Sequence, residues 1–163
     1  RLLTMQTRNS AAYKGIMALI LQDSPLDFMT GHRMDIASYI DEDADIHHIF
    51  PQTYCEKNKL PRIKWNSVIN KTPIYASSNR SIGGHAPSTY IGTMANKGLD
   101  QLKIQEAIES HKVNYIYLSS DDFDAYFIDR AIKLLNRVEK ATGKVVTGRD
   151  SQETVDAYGV SLL

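Results

Sequence analysis

The sequence predicts an α+β domain, mostly helical, built around one strand–loop–strand–helix unit. Apolar residues recur at helical spacing in the first and last thirds of the chain. The middle third instead holds two short apolar runs of strand length. It also holds a pair of adjacent histidines and two asparagines that are nine residues apart, Asn70 and Asn79.

The composition excludes several classes of protein. The chain has 163 residues, 42% of them hydrophobic and 23% charged, which is typical of a soluble domain with a proper core. Its zero formal net charge argues against a generic polycation, although a local basic patch is compatible with it. One cysteine, Cys55, excludes an internal disulfide and suits a reducing cytoplasm. The longest apolar stretch, Ile16 to Leu21, is far below the ~18 residues of a membrane span, so we expect a cytoplasmic protein.

Residues 1–44 are predicted to form a helical segment. Its first helix runs from about Ser10 to Gln22, and Asn9 or Ser10 is expected to cap it. The apolar face of this helix is predicted to consist of Ala12, Ile16, Leu19 and Ile20. A short helix over 35–39 and an acidic turn over 41–45 follow. The chain opens on Arg1 rather than Met, as a fragment of a longer protein would.

Residues 45–97 are predicted to alternate strands, loops and helical turns. The elements are a strand over 46–50, a polar and basic loop over 52–66, a strand over 74–76, a turn carrying Asn79 and a helix over 86–97. Ser77 or Ser78 is expected to cap the turn, and Gly83-Gly84 to end it.

Residues 98–149 are predicted to be helical. One helix covers 99–110, and a second begins after Asp121-Asp122 and stops at Gly143. The aromatic stripe of the second helix, which includes Phe123 and Phe127, is interpreted as core packing rather than a cofactor site. Residues 150–163 show little pattern and are predicted to be a tail.

The histidine pair and the asparagines suit the hydrolysis of a phosphodiester. This reaction needs a base with a pKa near neutrality, which histidine supplies, and a divalent ion that neutralises developing charge. Mg²⁺ keeps several waters, so two protein ligands suffice, and an asparagine oxygen is a hard ligand of the right kind. A histidine nitrogen widens the tolerance toward Mn²⁺, Ni²⁺ or Zn²⁺.

Three parts of the sequence form a recognisable pattern: His47-His48-Ile49-Phe50-Pro51-Gln52, Asn70 and Asn79-Arg80. Together they resemble the HNH or ββα-metal nuclease finger, including that of RNA-guided CRISPR nucleases. The resemblance implies that His48 is the general base and that His47 and Asn79 hold the metal. Asn70 matches the residue that pins the finger loop, with Asn66 as its rival. The position of His47 is often Asp in this family, which leaves the metal open between Mg²⁺ or Mn²⁺, the expected ions, and Ni²⁺ or Zn²⁺.

A closer resemblance, to the DUF1524 domain, covers most of the chain. It rests on the same histidine motif and on the segments Ser78-Asn79-Arg80-Ser81-Ile82-Gly83-Gly84, Ala86-Pro87-Ser88-Thr89-Tyr90, Asp121-Asp122-Phe123-Asp124-Ala125-Tyr126-Phe127 and Ala141-Thr142-Gly143-Lys144. That family usually follows a DUF262 nucleotide-binding domain in modification-dependent restriction and phage-defence proteins. The resemblance implies DNA as the substrate and a DUF262-type domain upstream, whose signature is absent from this sequence.

Further residues are candidates for supporting roles. Basic residues of the finger loop could bind the DNA backbone or could simply be solvated: Lys57, Lys59, Arg62 and Lys64. Arg80 is a candidate for the scissile phosphate. Asp45 shares a strand face with His47 and could orient it or share the ion, while His85 is a less favoured metal or phosphate ligand.

We therefore expect a metal-dependent HNH endonuclease that cuts DNA. One alternative is a nucleic-acid-binding module that keeps the finger without catalysis. Another is a structural zinc finger, for which the chain has few soft ligands.

Overall fold

A computed structural model describes residues 1–37 and 44–163 of the chain. This part of the chain is a mixed α/β domain, mostly helical, with a two-stranded antiparallel sheet. The predicted helix over 35–39 and the acidic turn over 41–45 lie partly outside the described residues. None of the helices described is both long and apolar enough to cross a membrane.

The described elements follow one another in a simple order. The strands are β1 (Ala44–His48) and β2 (Lys71–Tyr75). The helices are α1 (Ala11–Gln22), α2 (Gln52–Lys57), α3 (Arg62–Trp65), α4 (Ala76–Ile82), α5 (Pro87–Asn96), α6 (Gln101–Ser110), α7 (Tyr115–Ser119), α8 (Phe123–Thr142) and α9 (Gln152–Tyr158). Short 3₁₀ turns cover Leu2–Thr4 and Val68–Asn70.

The predicted first helix is confirmed as α1. The Ser10 hydroxyl caps it by accepting a hydrogen bond from the Tyr13 amide at 3.1 Å. The predicted apolar face is partly wrong, because Ala12 is exposed. The buried face is rotated toward larger side chains, namely Tyr13, Ile16, Met17, Ile20 and Leu21.

Both strands of the sheet begin earlier than predicted, β1 by two residues and β2 by three. The strands pair antiparallel with His47 opposite Thr72 and His48 opposite Lys71. Ile49 and Phe50, predicted to end the first strand, lie beyond β1 and are completely buried. The Ile49 amide donates to the Asn70 carbonyl at 2.9 Å, which continues the contact between the two segments past the strand ends.

The prediction of a loop over 52–66 is wrong, because this segment contains α2 and α3. Each helix begins directly after a proline, Pro51 or Pro61, and each buries one side chain, Cys55 or Trp65. A single buried residue per helix leaves no repeating apolar stripe, so periodicity does not reveal these helices.

The C-terminal helices are largely as predicted, and the tail is not. The Asp122 carboxylate caps α8 by accepting from the Ala125 amide at 3.0 Å, and α8 ends at Gly143, whose φ is +66°. The predicted tail over 150–163 is wrong, since it contains α9 and buries Tyr158 and Leu162 in the core. Two apolar positions give too weak a pattern to identify this packing from sequence.

Candidate functional site

The alternation of side chains along β1 separates its two histidines. Asp45 and His47 point to the face that α4 covers, and His48 points to the opposite face. The residues opposite them on β2 divide in the same way, so Thr72 lies with His47 and Lys71 with His48.

A chain of hydrogen bonds links Asp45, Asn79 and His47. The Asn79 Nδ2 donates to Asp45 Oδ2 at 2.8 Å, which fixes the orientation of the amide. Asn79 Oδ1 then lies 2.9 Å from His47 Nδ1. Because an amide oxygen only accepts, His47 carries its proton on Nδ1 in this arrangement. The other nitrogen, Nε2, is buried and has no hydrogen-bond partner among the described residues.

The charge states of this group suit a metal ligand set. Burial lowers the pKa of His47 to about 4, although the hydrogen bond to Asn79 raises it. Burial raises the pKa of Asp45, but hydrogen bonds from Asn79, Ile46 and Arg8 outweigh this and lower it below its ordinary value. At neutral pH the group therefore offers a neutral imidazole and an ionised carboxylate, the forms that bind metals.

The geometry of His47 and Asn79 fits a divalent ion. Two adjacent ligands of an octahedral ion at ~2.1 Å are about 3 Å apart. His47 Nδ1 and Asn79 Oδ1 are 2.9 Å apart, so both atoms can bind one ion once the proton of His47 moves from Nδ1 to Nε2. A buried imidazole with one unpartnered nitrogen also suits a role beyond packing. In residues 1–37 and 44–163, no group of three or more His, Cys, Asp or Glu side chains could hold a metal ion. The candidate set instead depends on an asparagine.

His48 is half-buried on the other face of the sheet. Its Nε2 lies 3.3 Å from Asn66 Oδ1, and its ring meets the Trp65 ring edge-on with centroids 5.8 Å apart. Burial and the charge of Lys71 lower the pKa of His48, against the opposing effect of Asn66. If Nε2–H donates to Asn66, the lone pair of Nδ1 remains available to accept a proton.

Asn70 joins the end of β1 to the finger loop. It is fully buried, and its Nδ2 donates to the carbonyls of Phe50 and Trp65, each at 2.9 Å. Its Oδ1 accepts from the Phe50 amide at 2.9 Å and from the Tyr126 hydroxyl at 3.2 Å. Asn66, the rival candidate for this position, instead contacts His48.

A buried arginine that supports Asn70 is not predicted by the sequence. Arg130 of α8 is 0% exposed and donates from Nη1 to the carbonyls of Ile69 and Lys71, the latter at 3.1 Å. Its Nε donates to the His111 carbonyl at 3.2 Å. These bonds hold the backbone on both sides of Asn70. The only signal in the sequence is an arginine among aromatic residues of a predicted core helix.

A buried carboxylate that positions α4 is likewise not predicted by the sequence. Asp27 is 0% exposed, and its Oδ2 accepts from the Tyr75 amide at 2.9 Å. Its Oδ1 accepts from the Ser78 hydroxyl at 2.6 Å. The predicted cap by Ser77 or Ser78 is therefore wrong: Ser78 donates to Asp27, which holds the start of α4 and so places Asn79. No local pattern marks Asp27, which lies 51 residues before Ser78.

Two further cations accompany β1: Lys71 lies opposite His48, and Arg8 contacts Asp45. Lys71 is 6% exposed, and its Nζ donates to the Gln6 carbonyl at 2.7 Å. Burial, with a contribution from the charge of Arg8, lowers the pKa of Lys71 to about 8. Arg8 Nη2 lies 3.1 Å from Asp45 Oδ1. No sequence pattern marks either cation, because both depend on contacts of the N-terminal segment.

The predicted DNA contacts divide into free and engaged side chains. Most are exposed: Lys57, Lys59, Arg62 and Arg80. Lys64 is half-buried, with its Nζ 3.8 Å from Asp124 Oδ1 and 5.7 Å from the Phe127 ring centroid.

His85 is exposed after the Gly83-Gly84 turn and forms no hydrogen bond to the described site residues. Cys55 is buried, and burial raises its pKa to about 12.

Comparisons with known proteins give little further information. No family model matches the sequence, and no solved structure matches it either. An uncharacterized protein of Methanocaldococcus jannaschii is 34% identical over 118 residues. The alignment covers 68% of this chain and 20% of that relative, so the region compared spans about a fifth of the relative's length.

Proposed function

We propose that this chain is a metal-dependent endonuclease of the HNH type that hydrolyses phosphodiester bonds of DNA. The observation that carries the proposal is the convergence of His47 Nδ1 and Asn79 Oδ1, which lie 2.9 Å apart, with His48 as the next residue of β1 after His47. Two antiparallel strands followed by a helix provide this convergence, which is the order of elements expected for a ββα-metal finger.

Each residue has a distinct role in the proposed reaction. His48 takes a proton from the attacking water, for which its neutral form is required. His47 and Asn79 hold a divalent ion, Mg²⁺ or Mn²⁺ by preference, and Asp45 orients Asn79. When bound, the ion supplies charge neutralisation at the phosphoryl oxygens and the leaving oxygen. Asn70 keeps the finger loop at the end of β1, so that His48 stays in register with the metal ligands.

The proposed setting is a cytoplasmic restriction or anti-phage protein. The resemblance to DUF1524 domains supports a nucleotide-binding domain of the DUF262 type upstream. The greater length of the M. jannaschii relative is compatible with such an arrangement. A finger that grips the DNA backbone carries little sequence information. We therefore expect the isolated chain to cut slowly, and discrimination of modified DNA to require the upstream domain.

A plasmid-relaxation assay tests the activity. Supercoiled plasmid is incubated with the chain and Mg²⁺, Mn²⁺, Ni²⁺ or Zn²⁺, and a parallel reaction contains a chelator. We expect nicked or linear product that the chelator abolishes and that His48→Ala lacks. A mobility shift without any cutting would instead support the non-catalytic binding module. Unfolding on removal of metal would support a structural zinc site.

A further inference from the structure

Lys71 is a buried cation without a counter-ion among the described residues. No carboxylate of residues 1–37 or 44–163 lies within 4.0 Å of its Nζ, which instead donates to the Gln6 carbonyl at 2.7 Å. The Nζ also lies 5.9 Å from the centroid of the Tyr13 ring. Burying an ammonium group is unfavourable unless an opposite charge compensates it. The surroundings of Lys71 are therefore favourable for an anion.

Arg8 supplies an accessible cation two residues after Gln6, whose carbonyl binds Lys71. Its side chain is 65% exposed, and the ion pair of one terminal nitrogen with Asp45 Oδ1 at 3.1 Å holds it in place. A guanidinium has five N–H donors, and the bond to Asp45 uses only one of them. The remaining donors can form the paired hydrogen bonds that phosphate oxygens accept from arginine.

Both cations border the candidate site. Lys71 lies directly opposite His48 in the sheet. Arg8 contacts Asp45, which in turn binds Asn79. Arg8 of the N-terminal segment and Lys71 of β2 thus bring positive charge to the strand that carries the proposed base and metal ligand. By contrast, the finger-loop cations are on helices α2 and α3 or next to them, and Lys64 is already engaged with Asp124.

We propose that Arg8 and Lys71 form a phosphate-binding site for the DNA backbone along β1, where Arg8 contacts Asp45 and Lys71 lies opposite His48. Arg8 donates to the non-bridging oxygens of a phosphate, and the buried Lys71 adds positive charge. This inference rests on the proposed function, since it takes DNA to be the ligand. It assigns backbone binding to Arg8 of the N-terminal segment and Lys71 of β2, neither of which the sequence motifs include.

The test measures binding separately from cleavage. The anisotropy of a fluorescent 20-base-pair duplex is recorded in the presence of a chelator and over a series of NaCl concentrations. For Arg8→Gln we expect about tenfold weaker binding, as for the removal of one charge-assisted hydrogen bond. We also expect the slope of log K against log[NaCl] to fall by about 0.9. Lys71→Gln, which retains a donor for the Gln6 carbonyl, should lower the slope as well. The matched control is Lys140→Gln, which removes an exposed charge from α8 and should change neither quantity.

A second variant separates phosphate binding from simple support of Asp45. Asp45→Asn breaks the ion pair but keeps the Arg8 cation. If Arg8 only supports Asp45, then Asp45→Asn and Arg8→Gln should impair cleavage alike, and neither should change the salt slope. Under our proposal, Asp45→Asn leaves DNA affinity unchanged or increased. Circular dichroism of each variant verifies folding, and the exposed position of Arg8 keeps the test possible if Lys71→Gln fails to fold.

The outcomes distinguish this inference from the proposed function. Plasmid cleavage combined with unchanged DNA affinity and salt slope in Arg8→Gln would overturn the phosphate site and leave the nuclease proposal standing. Binding that depends on Arg8 without any cleavage would support the site and overturn the nuclease. If the wild-type chain does not bind duplex DNA, the phosphate site is overturned as well.

Discussion

The two faces of the β1–β2 sheet surround their histidines differently. On one face His47 is 2% exposed, bonded to Asn79 and in edge contact with the rings of Phe28 and Tyr90. On the other face His48 is half-buried beside Asn66, and Lys71 lies opposite it. The face of His47 fixes its imidazole in place, and we call it the closed face. The face of His48 leaves its imidazole partly open to solvent, and we call it the open face.

This difference shows how one strand can supply two chemical roles from adjacent residues. Successive side chains of a strand point to opposite faces, so one peptide unit separates the buried His47, the proposed metal ligand, from the more accessible His48, the proposed base. A metal ligand benefits from burial and rigid orientation, whereas a base must reach water. The following predictions test the two faces and the segments next to them.

The largest expected effect is on the open face. His48→Ala should lower the rate of plasmid cleavage by about 10²–10⁴-fold, the range expected when a general base is removed. DNA affinity should change little, because the imidazole is neutral. The matched control is His32→Ala, which removes an exposed histidine outside the site. Wild-type cleavage by His48→Ala would remove His48 from the mechanism.

Asn70 binds the backbone just beyond the end of β1 and so supports both histidines of that strand. Asn70→Ala leaves the Phe50 amide and the Trp65 carbonyl without their buried partner, and it leaves the Phe50 carbonyl with only the weak Cys55 thiol donor. At about 1–3 kcal/mol for each unpaired group, unfolding should become easier by about 3 kcal/mol or more. The melting temperature should fall by roughly 6–12 °C. Thermal denaturation measures this, with the exposed Asn96→Ala as control; equal melting of both variants would contradict the role of Asn70.

On the closed face we expect the two proposed metal ligands to act together. His47→Ala and Asn79→Ala should each weaken Mn²⁺ binding by about tenfold or more. The Mn²⁺ affinity of the double variant should be little lower than that of the single variant that binds Mn²⁺ more weakly, because both residues act through one ion. Isothermal titration calorimetry measures these affinities. Full Mn²⁺ affinity in both single variants would exclude this pair as the ligand set.

The closed face should also make stability depend on pH through His111. Its Nε2–H donates to the Leu26 carbonyl at 2.8 Å, so its Nδ1 accepts from the Thr72 hydroxyl at 2.6 Å. Burial lowers the pKa of His111 to about 3, so between about pH 3 and 6.5 only the unfolded chain binds this proton. The unfolding free energy should therefore fall with decreasing pH, by about 1.4 kcal/mol per unit for this group.

His111→Gln should remove that contribution. Urea denaturation at several pH values between 4 and 7 should show a shallower dependence on pH in the variant than in the wild type. The exposed His32→Ala serves as the reference, because it should leave the slope unchanged. Parallel curves for wild type and His111→Gln would show that His111 does not carry the effect.

The smallest expected effect concerns the finger loop. Replacement of the exposed Lys57, Lys59 and Arg62 by Ala should lower the salt slope of DNA binding by about 0.9 for each phosphate that these side chains neutralise. Lys64→Ala should instead affect stability, because Lys64 contacts Asp124 and Phe127. An unchanged slope in the triple variant would identify the loop as ordinary solvated surface.

Local patterns predicted the elements with repeating signals. The caps and apolar periods of α1 and α8 lie within a few residues of one another, so the sequence displays them directly. The same reasoning failed for α2, α3 and α9, which bury too few side chains to produce a stripe. Short elements of this kind are stabilised by what they pack against, and that information is not local.

The sequence alone determined the candidates His47, His48, Asn70 and Asn79, because their spacing and the proline that follows form a pattern along the chain. Only the tertiary structure identified the residues that hold or accompany them: Asp27, Arg130, Lys71 and Arg8. The partners that connect these residues to the site lie between 37 and 65 residues away in the sequence. A carboxylate or a cation finds such partners only when packing brings distant segments together, and in the buried interior each group must find one.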